Sequence, residues 1–331
     1  MKSSSLLKLT LFFLFTTVFV TGLIAYSNSR KNSDSNNEST SASADESFSD
    51  DRHNRRYEKQ FSVKDGGEII VDADAGTVKI DSWEKSEVSV VVEVDGSDSR
   101  AEKYKVDFRQ EGNTIYVTGK VKDRSFFKWN IGNLEARYTI NVPKKFNTTV
   151  KTSGGDIESK NLVGKADYNT SGGNIEVEKI EGQTIASTSG GNVSVRDIVG
   201  NVNAETSGGN VICENIKGDV DGSTSGGDVE ANFIDGRVKA GTSGGNVTIK
   251  VNGENKGINA ETSGGDIDIF VKEGIGADID AETTGGSVDC DLPVTVRGKV
   301  RDSELHGKLN GGGNVIRAST SGGSIRIANL K

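Results

Sequence analysis

The string Thr-Ser-Gly-Gly starts at Thr152 and returns at Thr170, Thr188, Thr206, Thr224 and Thr242, always 18 residues on. It recurs at wider spacing at Thr262, as Thr-Thr-Gly-Gly at Thr283, and again at Thr320. Such a period constrains the architecture more than any local propensity, because each repeat has to be one small unit that stacks on the next. Between the glycine pairs stand short β-branched runs such as Asn192-Val193-Ser194-Val195, then a second turn, then Asn201-Val202-Asn203-Ala204. No useful helix fits that space. The spacing predicts an all-β, single-stranded β-solenoid over residues 151–331, with two strands in each 18-residue coil.

With the threonine of each coil as position 1, position 6 is Ile157, Ile175, Val193, Val211, Val229, Val247, Ile267 and Val288. Position 8 is mostly Val, Ile, Ala or Cys, and position 11 runs Leu162, Ile180, Ile198, Ile216, Ile234. Positions 15 and 17 are chiefly Val and Ala, as in Val202 and Ala204. Side chains alternate between the faces of a strand, so 6 and 8 point inward from one wall and 15 and 17 from the other. Position 11 fills the corner. The turn glycines at positions 3 and 4 are Gly154, Gly155, Gly172, Gly173, Gly190, Gly191, Gly208, Gly209, Gly226, Gly227, Gly244 and Gly245. These, and Gly164, Gly182, Gly200, Gly218 and Gly236 at position 13, are expected to supply positive φ at tight corners. A lone coil would bury about five modest side chains at roughly 1.5–3 kcal/mol each. Ordering its backbone costs about 1–2 kcal/mol per residue, so the coils are expected to fold only together.

Position 5 is Asn or Asp from Asp156 through Asp266, and stacking at about 4.8 Å would align it, with the threonines, into hydrogen-bonded ladders. Calcium-binding β-rolls repeat G-G-x-G-x-D-x; here the third Gly and the correctly spaced Asp are missing, so no metal is expected. Positions 7 and 9 carry Glu158, Glu176, Glu178, Glu214, Glu230, Asp268, Asp289 and Asp291, mixed with Lys160, Arg196 and Lys250. Paired carboxylates serve glycoside hydrolysis. Alternating charges arise freely on a repeat wall, however, and no aromatic row accompanies them, since Phe233 and Phe270 stand nearly alone. The reading is a solvated wall, with no catalytic residue and no cofactor.

Cys213 and Cys290 both occupy position 8, in the coils that start at Thr206 and Thr283. Sequential stacking puts them four steps and about 19 Å apart, beyond the ~7 Å Cα limit for a disulfide. Two buried free thiols are expected.

Residues 1–27 read as a signal peptide or an N-terminal membrane anchor. Lys2 and Lys8 precede an apolar run, Leu9 to Ala25; any anchor would use residues 6–26, and Ala25-Tyr26-Ser27 offers a cleavage site. Export is expected in either case, to the periplasm or cell surface. Residues 28–56 are almost wholly polar and read as a disordered linker. Residues 57–150 alternate as strands do and are expected to cap the first coil, while Ala75–Ile80 echoes the later repeat and marks where the solenoid could begin. In that region Phe126, Phe127 and Trp129 form either a hydrophobic plug, the preferred reading, or a contact patch for a partner or membrane. Leu292–Asn310, which contains Pro293, reads as a side loop or hairpin. A net charge of −8 argues against nucleic-acid binding, and two histidines leave little for histidine catalysis.

The export signal, the G-G-E-I-I-V and G-T-V-K-I strings, the tandem T-S-G-G-N/D-I/V units and the ending Ser319–Ile327 together resemble the bacterial putative-adhesin domain family. The resemblance covers residues 57–331 and implies an envelope β-solenoid with no catalytic residues to carry over. The expected function is therefore non-enzymatic contact at the cell envelope, as an adhesin or scaffold, with a protein or glycan partner. An envelope-stress accessory protein bound to a membrane partner is the alternative, and a carbohydrate-active enzyme a lesser one.

Overall fold

The computed structural model describes residues 47–51, 54–96, 101–122, 134–296 and 301–330. The leader, most of the 28–56 segment, and Phe126, Phe127 and Trp129 lie outside the described residues. The fold is all-β. Two sheets of 14 described strands each face one another, and through the repeats each strand pairs in parallel with its equivalent 18 residues on. Ile175 stands beside Val193 and Val193 beside Val211 in the first sheet, while Thr184 stands beside Val202 in the second. This is a β-solenoid-like stack. A rung is taken here as a second-sheet strand, its Thr-Ser-Gly-Gly turn and the first-sheet strand that follows.

The interior follows the expected alternation. Positions 6, 8, 15 and 17 are buried along the repeats, and Leu162, Ile180, Ile198, Ile216 and Ile234 close the corner at 2% exposure or less. A strand that simply alternated would turn position 11 outward. Position 10 prevents this: Asn161, Lys179, Asp197, Asn215 and Phe233 all take left-handed φ of 55–62°. One such residue shifts the phase of the strand, so the next side chain points back into the core. Asn and Asp tolerate that conformation; Lys and Phe hold it at a cost. Positions 6, 8 and 10 alternate without this kink in the Thr242 and Thr262 rungs, where Val251 and Val271 are buried instead.

One coil, spanning parts of two rungs, departs in composition. Position 17 of the first full coil is Tyr168, wholly buried, and position 8 opposite it is Ser159 rather than an aliphatic residue. The Tyr168 hydroxyl donates to Ser159 Oγ at 2.6 Å and accepts from Thr148 Oγ1 at 2.6 Å. A large side chain on one wall is thus matched by a small polar one on the other.

The glycine expectation holds only in part. Gly164, Gly182, Gly200 and Gly218 do take positive φ, between 147° and 154°. Gly236 and the glycines at positions 3 and 4 do not. Position 4 is constrained by space instead: a Cβ on Gly209 would lie 2.2 Å from the Gly191 carbonyl oxygen of the rung below. Position 3 is looser, since a Cβ on Gly208 meets nothing closer than 3.3 Å. The ladders form as expected, but from side chain to backbone. Asn174 Oδ1 accepts the Asn192 backbone N–H at 2.8 Å, and Thr188 Oγ1 donates to the Gly173 carbonyl at 2.8 Å.

Spatial order departs from sequence order at both ends. Val315–Thr320 lies between Ile258–Glu261 and Ala277–Thr283, and Ile325–Asn329 between Ile267–Val271 and Val288–Cys290. The Thr320 rung is thus inserted between the Thr262 and Thr283 rungs. The reason is the Leu292–Asn310 excursion, which forms a hairpin of Val294–Val296 and Glu304–Leu309. Glu304–Leu309 pairs antiparallel with Ala277–Thr283 and occupies its outer edge, so only the inner edge remains for a later strand. At the other end, Gly67–Ala73 and Thr77–Trp83 sit between the Thr152 rung and an outer rung of Thr114–Val121 and Glu135–Pro143. The region expected to cap the stack, in which Ala75–Ile80 marked a possible start of the solenoid, thus contributes two rungs of its own, plus antiparallel edge strands.

That end has a wider core. Tyr138 donates to the Tyr104 hydroxyl at 2.5 Å, and Tyr104 donates to the Ala75 carbonyl at 2.7 Å, both rings being buried. Gly119 leaves room for them, since a Cβ there would fall 1.8 Å from the Tyr138 oxygen. The segment read as linker through residue 56 is also shorter than expected. Ser47–Asp51 and Asn54–Ser62 form an antiparallel pair, and the latter runs beside Glu87–Asp95. Asn54–Ser62 is held by backbone pairing on both edges, by buried Phe61 and by ion pairs, Arg56 Nη1 reaching Glu93 Oε1 at 2.7 Å.

Candidate contact surface

The solenoid interior is occupied by its own side chains, so the chemistry open to a partner lies on the outer walls. On the first sheet, positions 7 and 9 place one outward side chain per rung in each of two rows. Carboxylates predominated in the sequence reading, but the fold sets cations between them. Lys79 meets Glu158 at 2.6 Å, Arg196 bridges Glu176 and Glu214 at 3.4 Å each, and Arg326 meets Asp291 at 2.8 Å. The second sheet repeats the device. Arg237 binds Asp219 through both its backbone N–H, at 2.9 Å, and its guanidinium, at 2.6 Å, and holds that carboxyl below the usual carboxylate range. Lys239 meets Asp221 at 2.9 Å in the same pair of rungs. Each such exposed pair contributes little stability, at most about 1 kcal/mol. Together they compensate charge rung by rung and blunt the walls against aggregation.

The position-9 row changes character toward the later rungs. Asn232, Lys250, Phe270 and Ala328 are neighbours there by register. Phe233, 38% exposed, stands at the adjacent corner, and Phe233, Lys250, Phe270, Arg326 and Leu330 line a shallow groove. The two phenylalanines that looked isolated in the sequence are thus brought to one surface, two rungs apart. The left-handed position 10 turns Phe233 outward, and the inserted rung adds Arg326 and Leu330 beside Phe270.

Among the described residues, no group of three or more His, Cys, Asp and Glu side chains is placed to hold a metal ion. The cysteines are both free. Cys213 is buried and its thiol is pushed up to about 12 by desolvation. Cys290 corrects the expectation, being only half-buried: it lies in the three-residue strand Val288–Cys290 of the outermost rung, which the next-to-outer rung covers on one side alone. Because the Thr320 rung intervenes, five steps separate the two thiols rather than four. The exclusion of a disulfide is strengthened by that change.

The model of the Toastrack DUF4097 family matches residues 67–328, which includes both displaced rungs and every Thr-Ser-Gly-Gly turn. The chain belongs to this family. Among solved structures similar to this Toastrack chain, one described as a putative adhesin from Parabacteroides merdae is 15% identical, with 83% of this chain and 96% of that one covered at a TM-score of 0.48. Another putative adhesin, from Bacteroides fragilis, is 17% identical over 83% and 97% of the two chains at a TM-score of 0.41. A putative lipid binding protein from Parabacteroides distasonis is 14% identical over 83% and 97% at 0.35. No match is found among curated proteins. The Toastrack match begins at Gly67, within the inserted rung at one end, and stops one residue before Ile325–Asn329 is complete.

Proposed function

We propose that this Toastrack chain works in the bacterial cell envelope, beyond the cytoplasmic membrane, as a non-enzymatic contact or scaffold protein. The leader-like residues 1–27 support export, and the adhesin-like names of its structural relatives agree with it. The outer wall of the first sheet carries the reading. It presents regular rows of side chains, one per rung at about 4.8 Å, with charges already compensated between rungs. Such a surface offers many equivalent weak contacts to an extended partner, protein or glycan, and gains affinity from their number rather than from one deep pocket.

Fractionation of cells carrying the full chain, with protease treatment of intact cells, tests the location; recovery in the cytoplasm would overturn it. A pull-down from envelope extract tests the surface, comparing wild type with the wall variant Arg196→Glu. Wild type should retain a partner that the variant loses. Turnover of an envelope polysaccharide by purified protein would replace contact with catalysis.

A further inference from the structure

The Thr320 rung is made after both rungs that enclose it, and it has to enter a slot whose two sides are already specified. Its fit on each side is register-specific. Thr320 Oγ1 donates to the Gly265 carbonyl at 2.9 Å, and the Ser324 N–H donates to Asp266 Oδ1 at 2.7 Å. On the other side, Thr283 Oγ1 donates to the Gly323 carbonyl at 2.7 Å. Both strands of the rung are paired on both edges, and Ile316, Ala318, Ile325 and Ile327 are fully buried.

The connection into this rung is a short glycine-rich turn. Asn310, Gly311 and Gly312 have consecutive positive φ of 46°, 89° and 96°, and Gly313 follows before the strand begins. A backbone of that composition can reorient without side-chain obstruction. The rung therefore has what strand exchange requires: a self-contained element, a glycine-rich link, and a slot defined by contacts that any identical segment would satisfy equally.

We propose that this rung is exchangeable between molecules: the slot between the Thr262 and Thr283 rungs accepts residues 315–329 of a second copy of this chain. The occupant is a second copy because both turn ladders and the inward pattern Ile316, Ala318, Ile325, Ile327 have to match in one register. The outer hairpin supplies the driving condition. While Glu304–Leu309 blocks the outer edge of Ala277–Thr283, an unfilled slot leaves the Thr262 rung with unpaired backbone and an open apolar edge. That edge is costly in water until a donor fills it.

The test uses full-length chains with Cys213→Ala and Cys290→Ser. Asp268 and Arg326 are partners across the slot and face outward, so Asp268→Cys and Arg326→Cys on one chain provide an intramolecular reference bridge. The two single variants, on chains of different isotope composition, are then mixed, taken through the denaturant midpoint and refolded together under a mild oxidant. A 268–326 bridge between chains, at least tenfold above that from a mixture of Arg326→Cys with the remote Glu158→Cys, is expected. Cross-linking no greater than this control, while the double variant closes within one chain, would overturn the proposal. So would failure of the double variant to close, because the rung would then not occupy the slot.

Discussion

Asn255 and Asn314, 59 residues apart, hold one another through both side-chain amides. Asn255 Nδ2 donates to the Asn314 carbonyl at 2.5 Å, and Asn314 Nδ2 donates to the Asn255 carbonyl at 2.8 Å. Asn255 Oδ1 also accepts the Gly257 N–H at 3.0 Å, which shapes the turn into Ile258–Glu261. The pair fastens the start of the inserted rung to the rung beneath it. Asn255→Ala removes the donor to the Asn314 carbonyl, which keeps only the longer Asp278 N–H contact at 3.4 Å, and the acceptor of the Gly257 N–H, and should cost about 1–3 kcal/mol. A denaturant midpoint unchanged from wild type would remove this role.

The two glycines of a turn should behave differently. Gly209→Ala places a methyl 2.2 Å from a carbonyl oxygen, whereas Gly208→Ala meets its nearest atom at 3.3 Å. Overpacking against backbone costs typically about 1–3 kcal/mol. Thermal melting should therefore show a clear loss for Gly209→Ala and a change of about 0.5 kcal/mol or less for Gly208→Ala. Equal effects would contradict the stacking geometry.

At position 10, Lys179 holds a left-handed φ of 56° that Asn161 and Asn215 adopt more readily. Left-handed backbone costs an ordinary residue roughly 1–2 kcal/mol. Lys179→Asn should stabilise the chain by about half of that, since Asn recovers only part of the strain. Its exposed pair with Glu178 is a small loss. Urea titration measures the balance, and destabilisation would count against the strained assignment.

The thiols should label in two stages. Native, unreduced protein is expected to take one maleimide, slowly, at half-buried Cys290, and denatured protein two. Rapid native labelling of Cys213 would mean that the core opens at that rung.

Alkaline pH should unfold the chain. Burial raises Tyr104 and Tyr168 to about 12, and raises Tyr138 as well. In the unfolded chain these phenols ionise near about 10. The native state favours their neutral form, so its stabilisation is complete below about pH 10 and is lost as pH climbs toward about 12. Tyrosinate absorbance from these rings should appear together with loss of β-sheet circular dichroism. Ionisation of all three in a still-folded chain would refute the burial.

The sequence made the repeating part legible because its constraints are local and periodic: inward Val193 and Val195, the Asn192 ladder and the Ile198 corner recur at a fixed step. Three features escaped it for physical reasons. The phase shift at Asp197 depends on backbone conformation, which Asn, Asp, Lys and Phe at one position do not announce together. The place of the Thr320 rung depends on which strand edge Glu304–Leu309 has already occupied. The rows on the outer wall looked acidic because their cations, such as Lys79 and Arg326, come from rungs far away in sequence. The Phe233–Phe270 groove depends on the same two features, the kink and the insertion, and so could not be foreseen from spacing alone.

The match of Tyr168 to Ser159 has a further consequence for a chain built of nearly interchangeable units. A slip by one whole repeat would preserve most backbone pairing, since Val193 could stand beside Val229 almost as well as beside Val211. It would not preserve the phenol. Moved one rung up, Tyr168 would face Val177 in place of Ser159, with no acceptor for its proton and no room for its ring. One polar, oversized side chain thus acts as an indexing pin, and it supplies the positional information that a translationally symmetric array otherwise lacks.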